Sequence, residues 1–80
     1  MRVYLVDDEE NCLEDLKWRL HKYPDIEIVG MFTDPNAALA AAGQNHPDAA
    51  FLDIDMPKLN GLELAVRIQA ECPGIIVIFV

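Results

Sequence analysis

Two acidic clusters, each directly after a short apolar run, are the parts of this chain whose residue types and spacing could do chemistry. Asp7-Asp8-Glu9 follows Val3–Val6, and Asp53-Ile54-Asp55 follows Ala50–Leu52. Because parallel strands of an open α/β sheet bring their carboxyl ends to one edge, we expect the two clusters to share one crevice. Unit negative charges about 4 Å apart repel by roughly 4 kcal/mol at an effective dielectric near 20, so such a cluster requires a cation or a protonated member. A ligand set made only of hard oxygen atoms indicates Mg²⁺.

Strand and helix signals alternate along the chain and supply the elements that must position these carboxylates. Four short apolar or β-branched runs predict strands: Arg2–Val6, Ile26–Phe32, Ala49–Ile54 and Ile75–Val80. Three stretches between them predict helices: Glu10–Lys22, Asp34–Ala42 and Asn60–Glu71. The order βαβαβαβ requires right-handed crossovers and therefore a parallel sheet with helices on both faces.

Several residues predict where the helices begin, end and face the core. Asp34 followed by proline is a typical helix start, and Gly43 is the predicted end of the same helix. In the third helix the predicted inward face consists of Leu62, Ala65 and Ile68. The last apolar run, Ile75–Val80, has the pattern of a parallel strand buried on both faces.

The overall composition limits the number of domains and the classes of partner. Eighty residues are enough for one small domain, so we expect residues 1–80 to belong to a single domain. The net charge of -8 disfavours direct contact with nucleic acid or with an anionic membrane surface. The longest apolar run is too short to span a bilayer and no signal-peptide pattern is visible, so we expect a cytoplasmic protein. Cys12 and Cys72 lack metal-ligand spacing and are expected to be ordinary thiols.

Three segments together resemble the receiver domain of bacterial two-component response regulators: Val6–Glu9, Phe51–Pro57 and Asn60-Gly61. The resemblance covers the whole chain. It implies a flavodoxin-like parallel sheet, with strand order 2-1-3-4 and the ligand crevice between strands 1 and 3. It also implies that the chain stops after the fourth strand of a longer regulator. In a complete receiver a Thr or Ser follows at the end of strand 4, an aromatic switch residue lies on strand 5, and a Lys comes after strand 5.

The resemblance implies a role for each acidic residue. Asp53 would be the phospho-acceptor, taking a phosphoryl group from a phosphohistidine on a sensor histidine kinase, and no other catalytic residue is expected. Asp8 would ligate Mg²⁺ directly and Asp7 through water, with Asp53 and the backbone carbonyl of Asp55 as further ligands. Three residues would shape the following loop: Met56, Pro57 and Gly61.

The function implied by the resemblance is phosphorelay signalling, in a parent protein that regulates transcription. The chain itself is expected not to be an enzyme. Its last strand, Ile75–Val80, would leave an edge of apolar residues without charge or proline. We therefore expect self-association of this chain, by edge-strand pairing or by a domain swap.

Two other functions stay open at the level of the sequence. Phe51–Asp55 also resembles the opening Asp-x-Asp of haloacid-dehalogenase-type phosphatases, in which Asp53 would be the nucleophile and Asp55 the general acid/base. The substitution Asp55→Asn separates these hypotheses, because it would abolish turnover by a phosphatase and leave a receiver able to accept phosphate. The second alternative is an interaction module that works without phosphorylation.

Overall fold

Seven elements alternate along the chain in the computed structural model, which describes all 80 residues. The strands are β1 (Arg2–Val6), β2 (Glu27–Phe32), β3 (Ala49–Leu52) and β4 (Ile76–Phe79). The helices are α1 (Glu10–Leu20), α2 (Pro35–Asn45) and α3 (Gly61–Glu71). All strand pairs are parallel, in the order β2-β1-β3-β4. The predicted parallel α/β sheet with strand order 2-1-3-4 is confirmed.

Helices cover both faces of the sheet, and the two faces are unequal. Alternate residues of β1 point to opposite sides, so that Tyr4 and Val6 pack with α2 and α3, whereas Val3 and Leu5 pack with α1. The cluster on the α2/α3 side contains 13 buried residues, and the cluster under α1 contains 5. Most of the apolar burial that stabilises the sheet therefore lies on the α2/α3 side.

Helix α2 begins after Asp34, as predicted, but its predicted end at Gly43 is wrong. The helix continues to Asn45, and His46 ends it with a left-handed φ of 47°. The Arg2 guanidinium donates hydrogen bonds to the carbonyl oxygens of Asn45 at 3.1 Å and His46 at 3.5 Å. These carbonyls would otherwise lack partners at the helix end, so a side chain from β1 compensates for a terminal residue that is not glycine.

The inward face of α3 differs from the prediction by the position of one leucine. Leu64, Ala65 and Ile68 are buried, whereas Leu62 is 57% exposed. Together with Gly61 the buried residues have the spacing i, i+3, i+4, i+7 that is typical of one helix face. Leu62 is one residue out of phase with this stripe, and its apolar side chain therefore points to solvent.

Strand β4 lies at the edge of the sheet, so its predicted burial on both faces is wrong. Ile75, just before the strand, is buried, but Ile76, Ile78 and Phe79 are 51%, 36% and 40% exposed. The strand pairs only with β3.

Each of the three helices is 11 residues long. None of them combines the length and the apolar character that crossing a membrane requires.

Candidate functional site

Asp7 and Asp8 follow β1, and Asp53 follows β3, its neighbour in the sheet. The two strands are parallel, with Val6 opposite Leu52, so the chain leaves both at the same edge. One carboxylate oxygen from each aspartate lies within 4.8 Å of the other two. These three residues form the acidic cluster. It lies between β1 and β3, where the strand order reverses and open α/β sheets bind their ligands.

Backbone hydrogen bonds hold the ends of the two strands together. The N–H of Asp53 donates to the carbonyl of Val6 at 3.0 Å, and the N–H of Asp7 donates to the carbonyl of Phe32 at 3.1 Å. These bonds extend the sheet ladder one residue beyond β1 and β3. The acidic cluster therefore stands on the rigid backbone of three strands rather than on a free loop.

Two of the carboxylates also accept a hydrogen bond from a backbone N–H two residues later in the sequence. Asp7 Oδ1 accepts from the N–H of Glu9 at 2.9 Å, and Asp53 Oδ1 accepts from the N–H of Asp55 at 3.3 Å. Each is the short Asx turn that aspartate forms with the residue two positions later. The turns orient the carboxylates and engage only one oxygen of each.

No basic side chain of the protein neutralises the acidic cluster. Burial raises the pKa of Asp7 above its ordinary value, and the charges of Asp53 and Asp8 raise it further, against a lowering by the hydrogen bond from Glu9. The contribution of the two neighbouring charges is the one expected for carboxylates that face one another without a cation. The only ion pairs lie within α1 and α3: Arg19–Asp15 and Arg67–Glu63.

The residues of the acidic cluster fit a magnesium ion by their chemistry. Three carboxylates converge, and all the donors they offer are hard oxygen atoms, the ligands that Mg²⁺ prefers. The side chain of Asp55 lies outside the acidic cluster and is exposed. Its backbone carbonyl as a ligand stays a prediction.

Gly61 is the loop residue most tightly fitted against the site. Its N–H donates to the carbonyl of Ile54 at 2.9 Å. A Cβ at position 61 would overlap the carbonyl oxygen of Asp53 and would lie 2.8 Å from the Cα of Ile54. Gly61 does not have a positive φ, so glycine is required here for space rather than for backbone conformation. Sequence reasoning named Gly61 as loop-shaping but did not identify this contact.

The rest of the loop between β3 and α3 is anchored by apolar side chains. Met56 and Leu59 are buried, whereas Pro57 is exposed. Asn60 then caps α3 by accepting a hydrogen bond from the N–H of Glu63 at 2.9 Å. Leu59 is an anchor that sequence reasoning missed, although an apolar residue between Lys58 and Asn60 was a signal for it.

An open groove of about 510 Å³ extends from the acidic cluster along α1. Asp7 and Asp53 line one part of it, and Cys12, Leu16 and Val80 line another. The negative charge of Asp7 raises the pKa of the exposed Cys12 thiol. Sequence reasoning missed this relationship, although Cys12 lies in the first turn of a helix that begins shortly after Asp7.

A parallel, doubly wound sheet with three carboxylates at its switch point defines a flavodoxin-like α/β domain with an acidic ligand site. The chain belongs to the response regulator receiver domain family, whose model matches residues 3–80. Receiver domains are the phosphorelay signalling modules of response regulators, and sensor histidine kinases phosphorylate them. The expected family and the expected class of function are therefore confirmed.

Several curated relatives are similar to this chain over part of their length. A response regulatory protein from Yersinia pestis is 45% identical over 71 residues, which are 89% of this chain and 30% of that protein. A protein-glutamate methylesterase/protein-glutamine glutaminase from Pseudomonas savastanoi is 38% identical over 95% of this chain and 21% of its own length. The transcriptional regulatory protein BtsR of Salmonella typhi is 39% identical over 89% of this chain and 30% of its own length. The chain thus spans less than a third of these relatives.

A solved structure supports the fold directly. The response regulator domain of Thermotoga maritima CheB has a TM-score of 0.87 and 34% sequence identity to this chain. The match covers 99% of this chain and 58% of that chain. The flavodoxin-like fold class predicted from the sequence is therefore confirmed by shape as well as by topology.

Proposed function

We propose that this chain receives a phosphoryl group on Asp53 from a phosphohistidine of a sensor histidine kinase. The observation that carries the proposal is the convergence of the Asp53 carboxylate with those of Asp7 and Asp8, within 4.8 Å, in a domain of the receiver family. The site lies at the open end of the sheet, where a partner protein can reach it. In this role the chain is an acceptor rather than an enzyme with its own turnover.

The nucleophile we assign is the second carboxylate oxygen of Asp53. Its Oδ1 accepts the hydrogen bond from Asp55, and no hydrogen bond engages Oδ2. Attack by Oδ2 forms an O–P bond while the N–P bond of the phosphohistidine breaks, and the electron pair of that bond remains on the imidazole nitrogen. The product is an aspartyl phosphate on Asp53 and a free histidine on the donor.

The acidic cluster is the metal site in this proposal. The carboxylates of Asp7, Asp8 and Asp53, with the backbone carbonyl of Asp55, would hold Mg²⁺, and Asp7 would do so through water. The bound ion supplies charge neutralisation for the oxygens of the transferring phosphoryl group. Burial is the main cause of the raised pKa of Asp7, but the further rise caused by the charges of Asp53 and Asp8 supports this assignment, since a bound cation would offset those charges.

The longer protein that contains this receiver is proposed to be a cytoplasmic regulator of transcription. The similarity to BtsR over 89% of the chain supports this proposal. The methylesterase relative indicates that similar receivers are also joined to catalytic domains. The net charge of -8 supports an output in which the receiver itself does not contact nucleic acid.

Intact-mass analysis after incubation with Mg²⁺ and acetyl phosphate tests the assignment of Asp53. We expect the mass of one phosphoryl group to be added to the wild-type chain and to Asp25→Asn, and not to Asp53→Asn. Asp25 is the matched control because it lies in the turn before β2, outside the acidic cluster. An adduct that persists in Asp53→Asn would contradict the proposal. A folded wild-type chain that takes up no phosphate would instead favour an interaction module that works without phosphorylation.

The phosphatase alternative is not favoured by the geometry of the site. A haloacid-dehalogenase-type mechanism needs the Asp55 carboxylate as a general acid/base at the reaction centre. The Asp55 side chain lies outside the acidic cluster and in an exposed position. In the same assay Asp55→Asn is therefore expected to accept phosphate as the wild type does.

A further inference from the structure

The dipeptide Asn60-Gly61 connects the loop after β3 to α3, and it is the only Asn-Gly pair in the chain. Asparagine followed by glycine is especially prone to spontaneous deamidation, because glycine has no side chain to keep its backbone nitrogen away from the asparagine carboxamide. Asn60 is also exposed. The other three asparagines precede Cys12, Ala37 and His46, whose side chains hinder this approach. Deamidation of this chain should therefore concentrate on Asn60.

The reaction needs only water and the groups of the dipeptide itself. The backbone nitrogen of Gly61 loses its proton to solvent and attacks Cγ of Asn60. An N–C bond forms, the bond from Cγ to the side-chain nitrogen breaks, and this nitrogen leaves as ammonia with a proton from water. Water then opens the succinimide ring. Opening at Cγ leaves an ordinary aspartate, whereas opening at the main-chain carbonyl leaves an isoaspartyl linkage, in which the chain runs through Cβ and Cγ.

The folded structure holds both reacting groups in hydrogen bonds. The N–H of Gly61 donates to the carbonyl of Ile54 at 2.9 Å, so the nitrogen keeps its proton while the loop between β3 and α3 is closed. Oδ1 of Asn60 accepts from the N–H of Glu63 at 2.9 Å, which holds the carboxamide against the end of α3. As in amide hydrogen exchange, the reaction has to wait for a local opening that breaks these bonds.

An isoaspartyl linkage at position 60 does not fit the closed loop. The main-chain carbonyl of Asn60 accepts a hydrogen bond in the first turn of α3, from the N–H of Leu64 at 2.9 Å, and in the isoaspartyl form this carbonyl becomes a free carboxylate. The linkage also adds one carbon to the main chain directly before Gly61, where even a Cβ would overlap the carbonyl oxygen of Asp53. The start of α3 and the backbone of Asp53 must therefore move apart.

We propose that Asn60 is a site of spontaneous modification that reacts only when the loop between β3 and α3 opens, and that its isoaspartyl product destabilises α3 and displaces Asp53. An ordinary aspartate at this position is tolerated, because aspartate caps a helix as well as asparagine does. The two products of the same reaction thus differ in effect although they carry the same charge. The effect on stability is independent of the proposed phosphate acceptance, whereas the effect on phosphate uptake rests on it.

Ageing of the folded chain and of the guanidinium-unfolded chain at mildly alkaline pH, followed by peptide mapping, tests the site and its protection. We expect isoaspartate at position 60 in both samples, forming at least about ten times more slowly in the folded chain. Asn60→Ser is the matched control, since serine keeps the helix cap and has no carboxamide to lose. Its total isoaspartate should fall to the level of the other asparagines. Equal rates in the folded and unfolded chains, or isoaspartate concentrated at another asparagine, would overturn the proposal.

A second comparison tests the consequence of the isoaspartyl linkage. Anion exchange separates the deamidated chains by their added negative charge, and Asn60→Asp is the matched control with the same charge and a normal backbone. We expect the isoaspartyl chains to have a lower urea midpoint than Asn60→Asp and to take up less phosphate from acetyl phosphate with Mg²⁺. An equal urea midpoint, or a lower midpoint with equal phosphate uptake, would overturn the proposed effect on α3 or on Asp53, respectively. A lower midpoint with no phosphate uptake even by the wild type would support the modification and contradict only the proposed function.

Discussion

The Cα of Gly61 faces the backbone carbonyl of Asp53 so closely that a Cβ at position 61 would overlap the carbonyl oxygen. The first residue of α3 therefore contacts the backbone of the residue to which we assign phosphate acceptance. The N–H of Gly61 also donates a hydrogen bond to the carbonyl of Ile54, the residue after Asp53, and this bond holds the two backbone segments together. The start of α3 and the backbone of Asp53 are thus held against each other by one close contact.

The substitution Gly61→Ala is expected to damage both the fold and the site. The added methyl group must displace backbone atoms, so we expect a loss of about 1–3 kcal/mol in the free energy of unfolding, measured by urea denaturation. Phosphate uptake from acetyl phosphate should also fall. The matched control is Gly43→Ala within α2, where the new Cβ would meet the flexible end of Glu71 at 3.2 Å. That control should gain up to about 1 kcal/mol from helix propensity, and equal effects of the two substitutions would contradict the argument.

Asp7→Asn is expected to stabilise the metal-free protein near neutral pH. The pKa of Asp7 is raised in the folded state, so the folded chain binds this proton more tightly than the unfolded chain does. The stabilisation by the proton is complete below the ordinary pKa of the carboxyl group and is lost as the pH rises through the raised value. In EDTA the urea midpoint of Asp7→Asn should therefore exceed that of the wild type at pH 7, and the difference should shrink towards acid pH.

Asp25→Asn is the control for this pH dependence, since it removes one negative charge outside the acidic cluster. It should shift the urea midpoint little at either pH. If the two variants behave alike over the whole pH range, the charges of the acidic cluster do not act on stability as described.

The thiol of Cys12 should report occupancy of the acidic cluster. Its pKa is raised chiefly by the charge of Asp7, with a smaller contribution from Asp53. A cation bound there offsets these charges, lowers the pKa and increases the thiolate fraction. We therefore expect iodoacetamide to alkylate Cys12 faster when Mg²⁺ is added at slightly alkaline pH, as measured by mass spectrometry. Cys72 is buried and serves as the unreactive internal reference; a rate for Cys12 that does not respond to Mg²⁺ would argue against the coupling.

His46→Gly is expected to stabilise the domain. His46 ends α2 with a φ of 47°, a conformation that costs a residue with a side chain roughly 1–2 kcal/mol and costs glycine little. The free energy of unfolding should rise by about 0.5–1 kcal/mol in urea. Asn45→Gly, one residue earlier and still helical, should instead lower it. A stability loss in both variants would show that the histidine side chain has a role of its own.

The sheet and the acidic cluster could be predicted because both depend on local patterns. Apolar runs identify strands, and an acidic residue directly after such a run has its position fixed by the end of the strand. The resemblance to receiver domains supplied the strand order 2-1-3-4, and a parallel sheet of that order brings Asp7, Asp8 and Asp53 together. The local pattern also predicted the bounds of β1 correctly.

The features that were not predicted depend on contacts between distant parts of the chain. The end of α2 at Asn45 depends on hydrogen bonds from Arg2, more than forty residues earlier, and the local pattern offered Gly43 as the natural end. The exposure of Leu62 depends on the residue at which α3 begins. The lack of space at Gly61 is visible only once the loop is folded back on Asp53.

The unequal burial on the two faces of the sheet has a consequence for motion. The cluster under α1 contains 5 buried residues against 13 on the other face, so α1 should detach at a lower free energy than α2 or α3. Amide hydrogens of α1 would then exchange first. Since α1 begins at Glu10, its detachment would loosen Asp8, whereas Asp7 and Asp53 keep their backbone hydrogen bonds to the sheet. A ligand bound by all three aspartates would suppress the detachment of α1. Part of its binding free energy would be used to keep α1 packed on the sheet, so its affinity would be lower than for a site that is always formed.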